Sequence, residues 1–129
     1  MKYLLDTHAL IWYFEESHRL PNKIKEMIKN PVNQVAISIS SLWEITIKIS
    51  LGKLNLDLPL NDFLDEMYYS DFEIIGIEVE HCKILGELAM MHKDPFDRII
   101  ISTAITEGCI LISADENIKK YNDIVVLWD

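Results

Sequence analysis

His92-Lys93-Asp94-Pro95-Phe96-Asp97-Arg98-Ile99-Ile100-Ile101-Ser102-Thr103-Ala104 decides how the rest of the chain is read. Proline lacks an N–H and has φ fixed near the helical value, so it suits the first turn of a helix and breaks the interior. Pro95 therefore marks a helix start, with Asp94 as the N-cap and Asp97 in the first turn. The apolar run after Arg98 reads as a buried helix. Two carboxylates and a guanidinium thus crowd the positive end of one helix. This is either a well-capped core helix or half of a metal site. The choice depends on what else arrives there.

Outward from this stretch, short apolar segments alternate with helical ones. Lys2-Tyr3-Leu4-Leu5 reads as a strand, followed by a helix from His8 to Phe14. Pro21 to Lys29 has Ile24, Met27 and Ile28 at helical spacing. Val35 to Ser38 reads as a second strand. Ser40-Ser41 opens a helix that Gly52 closes as a C-cap. Leu54 to Leu58 is a linker or an edge strand. Leu60 to Tyr69 is an amphipathic helix, Phe72 to Ile77 a strand, and Glu78 to Met91 a helix. Cys109 to Ser113 and Ile124 to Leu127 are the last strands, with a short helix after Asp115. This alternation predicts one α/β domain over residues 1–129, a central parallel sheet between two helical layers. In such sheets ligands bind outside the carboxyl ends of the strands.

The 129 residues suit a single domain with a sizeable core. No apolar run approaches the roughly 20 residues of a membrane-spanning helix, and Asp6 comes too early for a signal peptide. Cys82 and Cys109 sit in apolar settings without CxxC spacing. They read as two buried, reduced thiols of a cytoplasmic protein ahead of a disulfide, and not as zinc ligands. The formal net charge of −9 argues against nucleic acid unless some acids are focused on cations.

The strand-end rule gathers such acids. Asp6 follows the first strand, and Glu44 lies near the start of the helix after the second. Asp94 and Asp97 open the helix before a late strand, and Asp115 follows that strand. Each has a structural explanation. Ser41-Leu42-Trp43-Glu44 has the form of a capping box, and Asp6, Asp94 and Asp115 suit N-caps. Together they are harder to explain, because two carboxylates about 4 Å apart repel by up to ~4 kcal/mol at an effective dielectric near 20. A hard cation such as Mg2+ or Mn2+ removes that penalty and prefers oxygen ligands. Carboxylate-held divalent ions suit phosphodiester hydrolysis by activated water. Thr7, Ser41 and Ser113 are supporting hydroxyls that can bond phosphate, water or a ligand carboxylate.

The chain resembles PIN-domain ribonucleases, and among them the VapC-type toxins of toxin–antitoxin pairs. The resemblance rests on Leu4-Leu5-Asp6-Thr7-His8, Ser41-Leu42-Trp43-Glu44-Ile45, Gly52-Lys53-Leu54, His92-Lys93-Asp94-Pro95-Phe96-Asp97-Arg98 and Ile112-Ser113-Ala114-Asp115, in that order. It implies a three-layer α/β/α sandwich with metal-binding catalytic acids at Asp6, Glu44, Asp97 and Asp115. Asp94 belongs to the motif. It also implies Mg2+-dependent cleavage of RNA, a homodimer, and an antitoxin protein as partner.

Other residues have two readings. His8 and His92 flank the acids, as proton shuttles or as hydrogen-bonded structure. Arg98 either holds phosphate or pairs with a neighbouring acid. Lys48 is spaced to pair with Glu44 on a helix surface. Trp12 and Trp43 read as core before base-stacking platforms. Two other functions compete with the nuclease. One is a different acid-dependent phosphoryl hydrolase, although His8 stands where an aspartyl phosphatase wants a second Asp. The other is a PIN scaffold or receiver used only for binding, although a receiver wants a lysine where Ser113-Ala114-Asp115 stands.

Overall fold

A computed structural model describes all 129 residues. Five strands form one parallel sheet in the order β3-β2-β1-β4-β5. They are β1 (Lys2–Leu5), β2 (Gln34–Ser38), β3 (Glu73–Ile75), β4 (Ile110–Ile112) and β5 (Val126–Leu127). The helices are α1 (Thr7–Phe14), α2 (Asn22–Lys29), α3 (Ile39–Ser50), α4 (Leu60–Tyr69), α5 (Val79–Glu87) and α6 (Pro95–Glu107), with a single 3-10 turn at Ile118–Lys120. The expected three-layer α/β/α sandwich is the fold observed.

Strand alternation explains the layers. Tyr3, Leu5, Val35, Ile37 and Ile112 face one side, where they pack with Leu10, Ile24, Ile45, Phe63 and Met67. Leu4, Ala36, Ile75 and Leu111 face the other, against Ile100, Ile101, Ala104, Ile118 and Tyr121. Both faces are covered, so the strands read as continuous apolar runs. β1 pairs with β2 on one side and β4 on the other, Leu5 lying opposite Ile37 and Ile112. The strand order reverses direction beside β1, which places the crevice at the carboxyl ends of β1 and β4.

Several sequence expectations shift. Leu54 to Leu58 forms no strand; Leu54 and Leu56 instead pack as a loop on the first core cluster. β3 is three residues long, because Phe72 turns away to meet the Tyr13 and Phe14 rings. α3 starts directly off β2, with Ser38 as its N-cap accepting from the Ser40 amide. Glu44 therefore lies inside the helix and forms no capping box with Ser41. Gly52 does close α3, at φ 70°: the Lys53 amide reaches the Lys48 carbonyl and the Gly52 amide reaches Ile49.

α5 stops at Glu87 rather than Met91, and Arg98 holds that end in place. Its guanidinium is buried and donates to the Leu85 carbonyl at 3.2 Å and the Ala89 carbonyl at 3.0 Å. The Leu85 carbonyl also accepts the Leu88 N–H at 3.3 Å, where the chain turns extended, so Arg98 adds a second donor at the helix end. Arg98 Nη1 also lies 3.2 Å from Tyr121 Oη, which donates to Ala89 O at 2.6 Å. The ion-pair reading of Arg98 does not hold: its guanidinium bonds carbonyls and a hydroxyl and pairs with no acid. Cys82 and Cys109 are both free, but Cys82 is exposed rather than buried.

Candidate active site

Asp6 is the first residue beyond β1. Its amide bonds the Ile112 carbonyl at 3.1 Å, which fixes it beside the end of β4. One carboxylate oxygen, Oδ1, caps α1 through the Ala9 amide at 2.8 Å. The side chain is almost wholly buried. Burial raises its pKa, opposed by the neighbouring Ser113 hydroxyl and the Ala9 amide.

Thr7 joins β1 to α3. Its Oγ1 lies 2.7 Å from Glu44 Oε1 and 3.0 Å from Ser41 Oγ, all buried. Glu44 Oε2 accepts from Lys48 Nζ at 2.6 Å. The expected pair thus forms, but its acid end is buried at 3% exposure while the lysine is 38% exposed. Lys48 is held above its ordinary pKa by that bond, with the charges of Asp94 and Asp97 adding.

Asp94 is the N-cap of α6, its Oδ1 accepting from the Phe96 amide at 2.8 Å. Asp97 caps nothing. Its carboxyl is raised to about 7, first by burial and then by Asp94, with Glu44 and Asp6 adding and His92 pulling the other way. This is the electrostatic record of four acids from three segments sharing one place. Asp115 bonds the Asn117 and Ile118 amides through Oδ1 at 2.7 and 3.1 Å. Burial alone would raise it, but the Ile118 amide, the His92 ring and the Asn117 amide outweigh burial and hold it low. Ser113 is fully buried, its Oγ accepting from the Asp115 amide.

The N-cap reading is therefore correct for Asp6 and Asp94, and the capping box is incorrect for Glu44. Asp115 is not the N-cap, a place Asn117 takes, but it bonds the turn amides of Asn117 and Ile118. Asp97 lies in the first turn of α6, where the helix dipole favours it. Capping excludes nothing, however, since a carboxylate has two oxygens. Asp6 and Asp115 each bond backbone amides through Oδ1, which leaves Oδ2 for other partners.

His92 completes the group. Its Nε2 lies 3.2 Å from Asp115 Oδ2 and 3.0 Å from Asp97 Oδ2, and these three side chains form a set with metal-ligand spacing. His8 is exposed and stacks on Trp12. Trp43 is 58% exposed, outside the core where the sequence had placed it, and packs edge-on to Phe96 at 5.2 Å. The sequence reading missed the bridging place of His92 and the role of Tyr121. His92 stood within the opening stretch, whereas Tyr121 had no local signal.

The residues fit a divalent cation. Oxygen donors dominate, like charges are packed beyond what they tolerate alone, and Asp97 has no hydrogen bond to a backbone amide. A parallel α/β/α sheet thus brings acids at the ends of β1 and β4 together with acids on α3 and α6, a carboxylate-rich site of the kind that can hold a divalent cation. The PIN-domain sequence profile matches residues 3–124, and the chain belongs to the PIN-domain family.

Relatives within reach carry related names. Ribonuclease VapC22 of Mycobacterium tuberculosis is 24% identical over 119 residues, covering 92% of this chain and 90% of that protein. The crystal structure of VapBC2 from Rickettsia felis, bound to a DNA fragment from their promoter, superposes with a TM-score of 0.74 at 24% identity over all of both chains. VapBC-1 from nontypeable Haemophilus influenzae gives 0.73 at 20% identity, over 98% of this chain and 97% of that one.

Proposed function

We propose that this chain is an endoribonuclease toxin of the VapC type, with Asp6, Glu44, Asp97 and Asp115 as its catalytic, metal-holding acids and Mg2+ or Mn2+ as its cofactor. The observation that carries the reading is Asp97, a half-buried carboxylate in the field of Asp94, Glu44 and Asp6 that makes no cap of its own. A structural acid would gain nothing from that crowding. A bound divalent cation would lower the pKa of a water and offset the charge building on the phosphate oxygens.

The chain's own residues supply rigidity. Thr7 and Lys48 fix both oxygens of Glu44. A helix cap fixes Asp6, the Asn117 and Ile118 amides fix Asp115, and Asp94 orders the first turn that carries Asp97. No side chain has to act as the nucleophile, so serine, cysteine and histidine attack are unnecessary. Thr7 and Ser113 orient the carboxylates instead of attacking phosphate.

The family resemblance and the VapBC complexes among the structural relatives support a cognate antitoxin as partner. Exposed Tyr69, Val79 and Met90 offer apolar surface for it and for the homodimer. Two free thiols suit a reducing compartment, the cytoplasm. No helix is long and apolar enough to cross a membrane.

The test is cleavage of structured RNA by purified protein freed of any partner. Cutting should require Mg2+ or Mn2+ and stop in EDTA. Unchanged cutting in EDTA would refute the mechanism. Harmless high-level expression of the chain alone would count against the toxin.

A further inference from the structure

We propose that His92 is a positioning residue of the carboxylate centre, which donates from Nε2 to the acids instead of offering that nitrogen to the cation. The proposal rests on the metal-dependent reading above and adds a residue to it. By distance alone the opposite role looks better, since Nε2 stands among ligand atoms within 4.8 Å of one another. The far side of the ring decides between them.

His92 Nδ1 accepts the Asp94 backbone N–H at 3.1 Å. A neutral imidazole that accepts at Nδ1 carries its hydrogen on Nε2. Nε2 is then a donor. Its hydrogen bond runs to Asp115 Oδ2 at 3.2 Å, and Asp97 Oδ2 lies 3.0 Å away beside it. To ligate through Nε2, the ring would have to move its hydrogen to Nδ1. That hydrogen would face the Asp94 N–H, two donors head to head in a buried place.

The ring is anchored as a positioning group needs to be. It is 8% exposed. Its backbone amide bonds Tyr121 Oη at 3.1 Å, and the same hydroxyl is held by Arg98. Asp115 is consequently fixed at both ends, Oδ1 on the Asn117 and Ile118 amides and Oδ2 on His92. For Asp97, which makes no cap, the Nε2–H group is a fixed polar neighbour at 3.0 Å. One ring thus sets the gap between an acid on α6 and an acid after β4, two segments that no backbone hydrogen bond ties together here. Hydrogen-bonded partners of metal-holding carboxylates typically change affinity about 10–100-fold when removed.

Two measurements test this. The first is the imidazole tautomer of His92 in the parent, from long-range proton–nitrogen correlation spectra without and with Mg2+. We expect hydrogen on Nε2 in both states. The second is Mn2+ affinity by paramagnetic resonance titration for the parent, His92→Ala and His92→Gln, each checked for cooperative melting in EDTA. We expect about 10–100-fold weaker binding in His92→Ala. His92→Gln should recover most of it, because its amide NH2 reaches the place of Nε2. Unchanged affinity in His92→Ala would overturn the proposal while leaving the carboxylate centre intact. Hydrogen on Nδ1 in the presence of Mg2+, with no recovery in His92→Gln, would make His92 a ligand and overturn it too. A parent that binds no Mn2+ would overturn the metal reading itself. The tautomer measurement needs no variant, so it stands even where a substitution fails to fold.

Discussion

Lys48 Nζ lies 2.6 Å from Glu44 Oε2, a cation from solvent held against an acid that is otherwise buried. In the absence of metal, this lysine is the main charge compensating Glu44. Lys48→Met should leave the acid with Thr7 alone, costing about 1–3 kcal/mol in metal-free buffer. Mg2+ should then stabilise the variant more than the parent, since it relieves a larger deficit. Melting each protein with EDTA and with Mg2+ checks this. An equal or smaller metal shift in the variant would mean that Glu44 is outside the metal site.

Arg98 and Tyr121 form a second relationship with a different consequence. The guanidinium serves two carbonyls of the α5 terminus and one hydroxyl at once. Lysine cannot reproduce that planar fork. Arg98→Lys should lose roughly 2–4 kcal/mol, since a buried guanidinium that bonds the Leu85 and Ala89 carbonyls and the Tyr121 hydroxyl together is replaced by a point charge that cannot reach all three. In a chain of this size that lowers Tm by roughly 10 °C. RNA cleavage well below the melting range should keep the parent's KM. A raised KM without a loss in Tm would return Arg98 to a phosphate-binding role.

Asp97 predicts a pH dependence. Its carboxyl is raised from 3.8 to about 7 in the folded protein. The native state therefore binds the proton more tightly than the unfolded one. The resulting stability is fully present below about pH 4 and is lost as pH rises through about 7. In EDTA the parent should lose stability between pH 5 and 8, on the order of 2 kcal/mol after discounting for partial exposure, and Asp97→Asn should not. Saturating Mg2+ should flatten or reverse the slope, because the cation binds the ionised form. Parallel curves for parent and variant in EDTA would show that Asp97 is not crowded by its neighbours.

The fold was legible because its signals are local. Pro95 after Asp94 started α6 where expected, and the apolar runs at Leu4-Leu5, Ala36-Ile37 and Leu111-Ile112 are buried strands. The acids were legible because a parallel sheet sends every strand end to one edge. The errors came from partners far off in sequence. Arg98 bonds the α5 terminus from seven residues beyond the expected helix end at Met91, and Tyr121 holds the backbone of His92 from 29 residues away. Ser38 took the cap assigned to Ser40 and Ser41 because α3 follows β2 without a loop. Trp43 looked like core by composition, but Leu42, Glu44 and Ile45 are the buried residues of that turn.

Asp6 and Asp115 give the sharpest test, because each does two jobs with two oxygens. Oδ1 accepts backbone amides, at the start of α1 for Asp6 and in the turn before the 3-10 segment for Asp115, and Oδ2 is the oxygen turned to the cation, shared with His92 in Asp115. Asparagine caps about as well as aspartate, whereas alanine loses the cap at a cost of roughly 1 kcal/mol. Asp6→Asn should therefore melt in EDTA at or above the parent, having shed a like charge. Asp115→Asn, which loses a charge that His92 and two amides favour, should melt at or slightly below it. Asp6→Ala and Asp115→Ala should melt below it. Mg2+ separates the second job from the first. A ligand bound only by the native state adds RT ln(1 + [L]/Kd), about 2.7 kcal/mol at one hundred times Kd. The parent should gain that shift and both asparagine variants much less of it, with cleavage falling in step. Glu44→Gln and Asp97→Asn should behave alike, with the largest losses at Asp6 and Asp97. Asp115, one-third exposed and already held by His92 and two amides, should lose least. Asparagine and glutamine variants that keep the parent's metal shift and its cleavage would leave these acids as caps and nothing more.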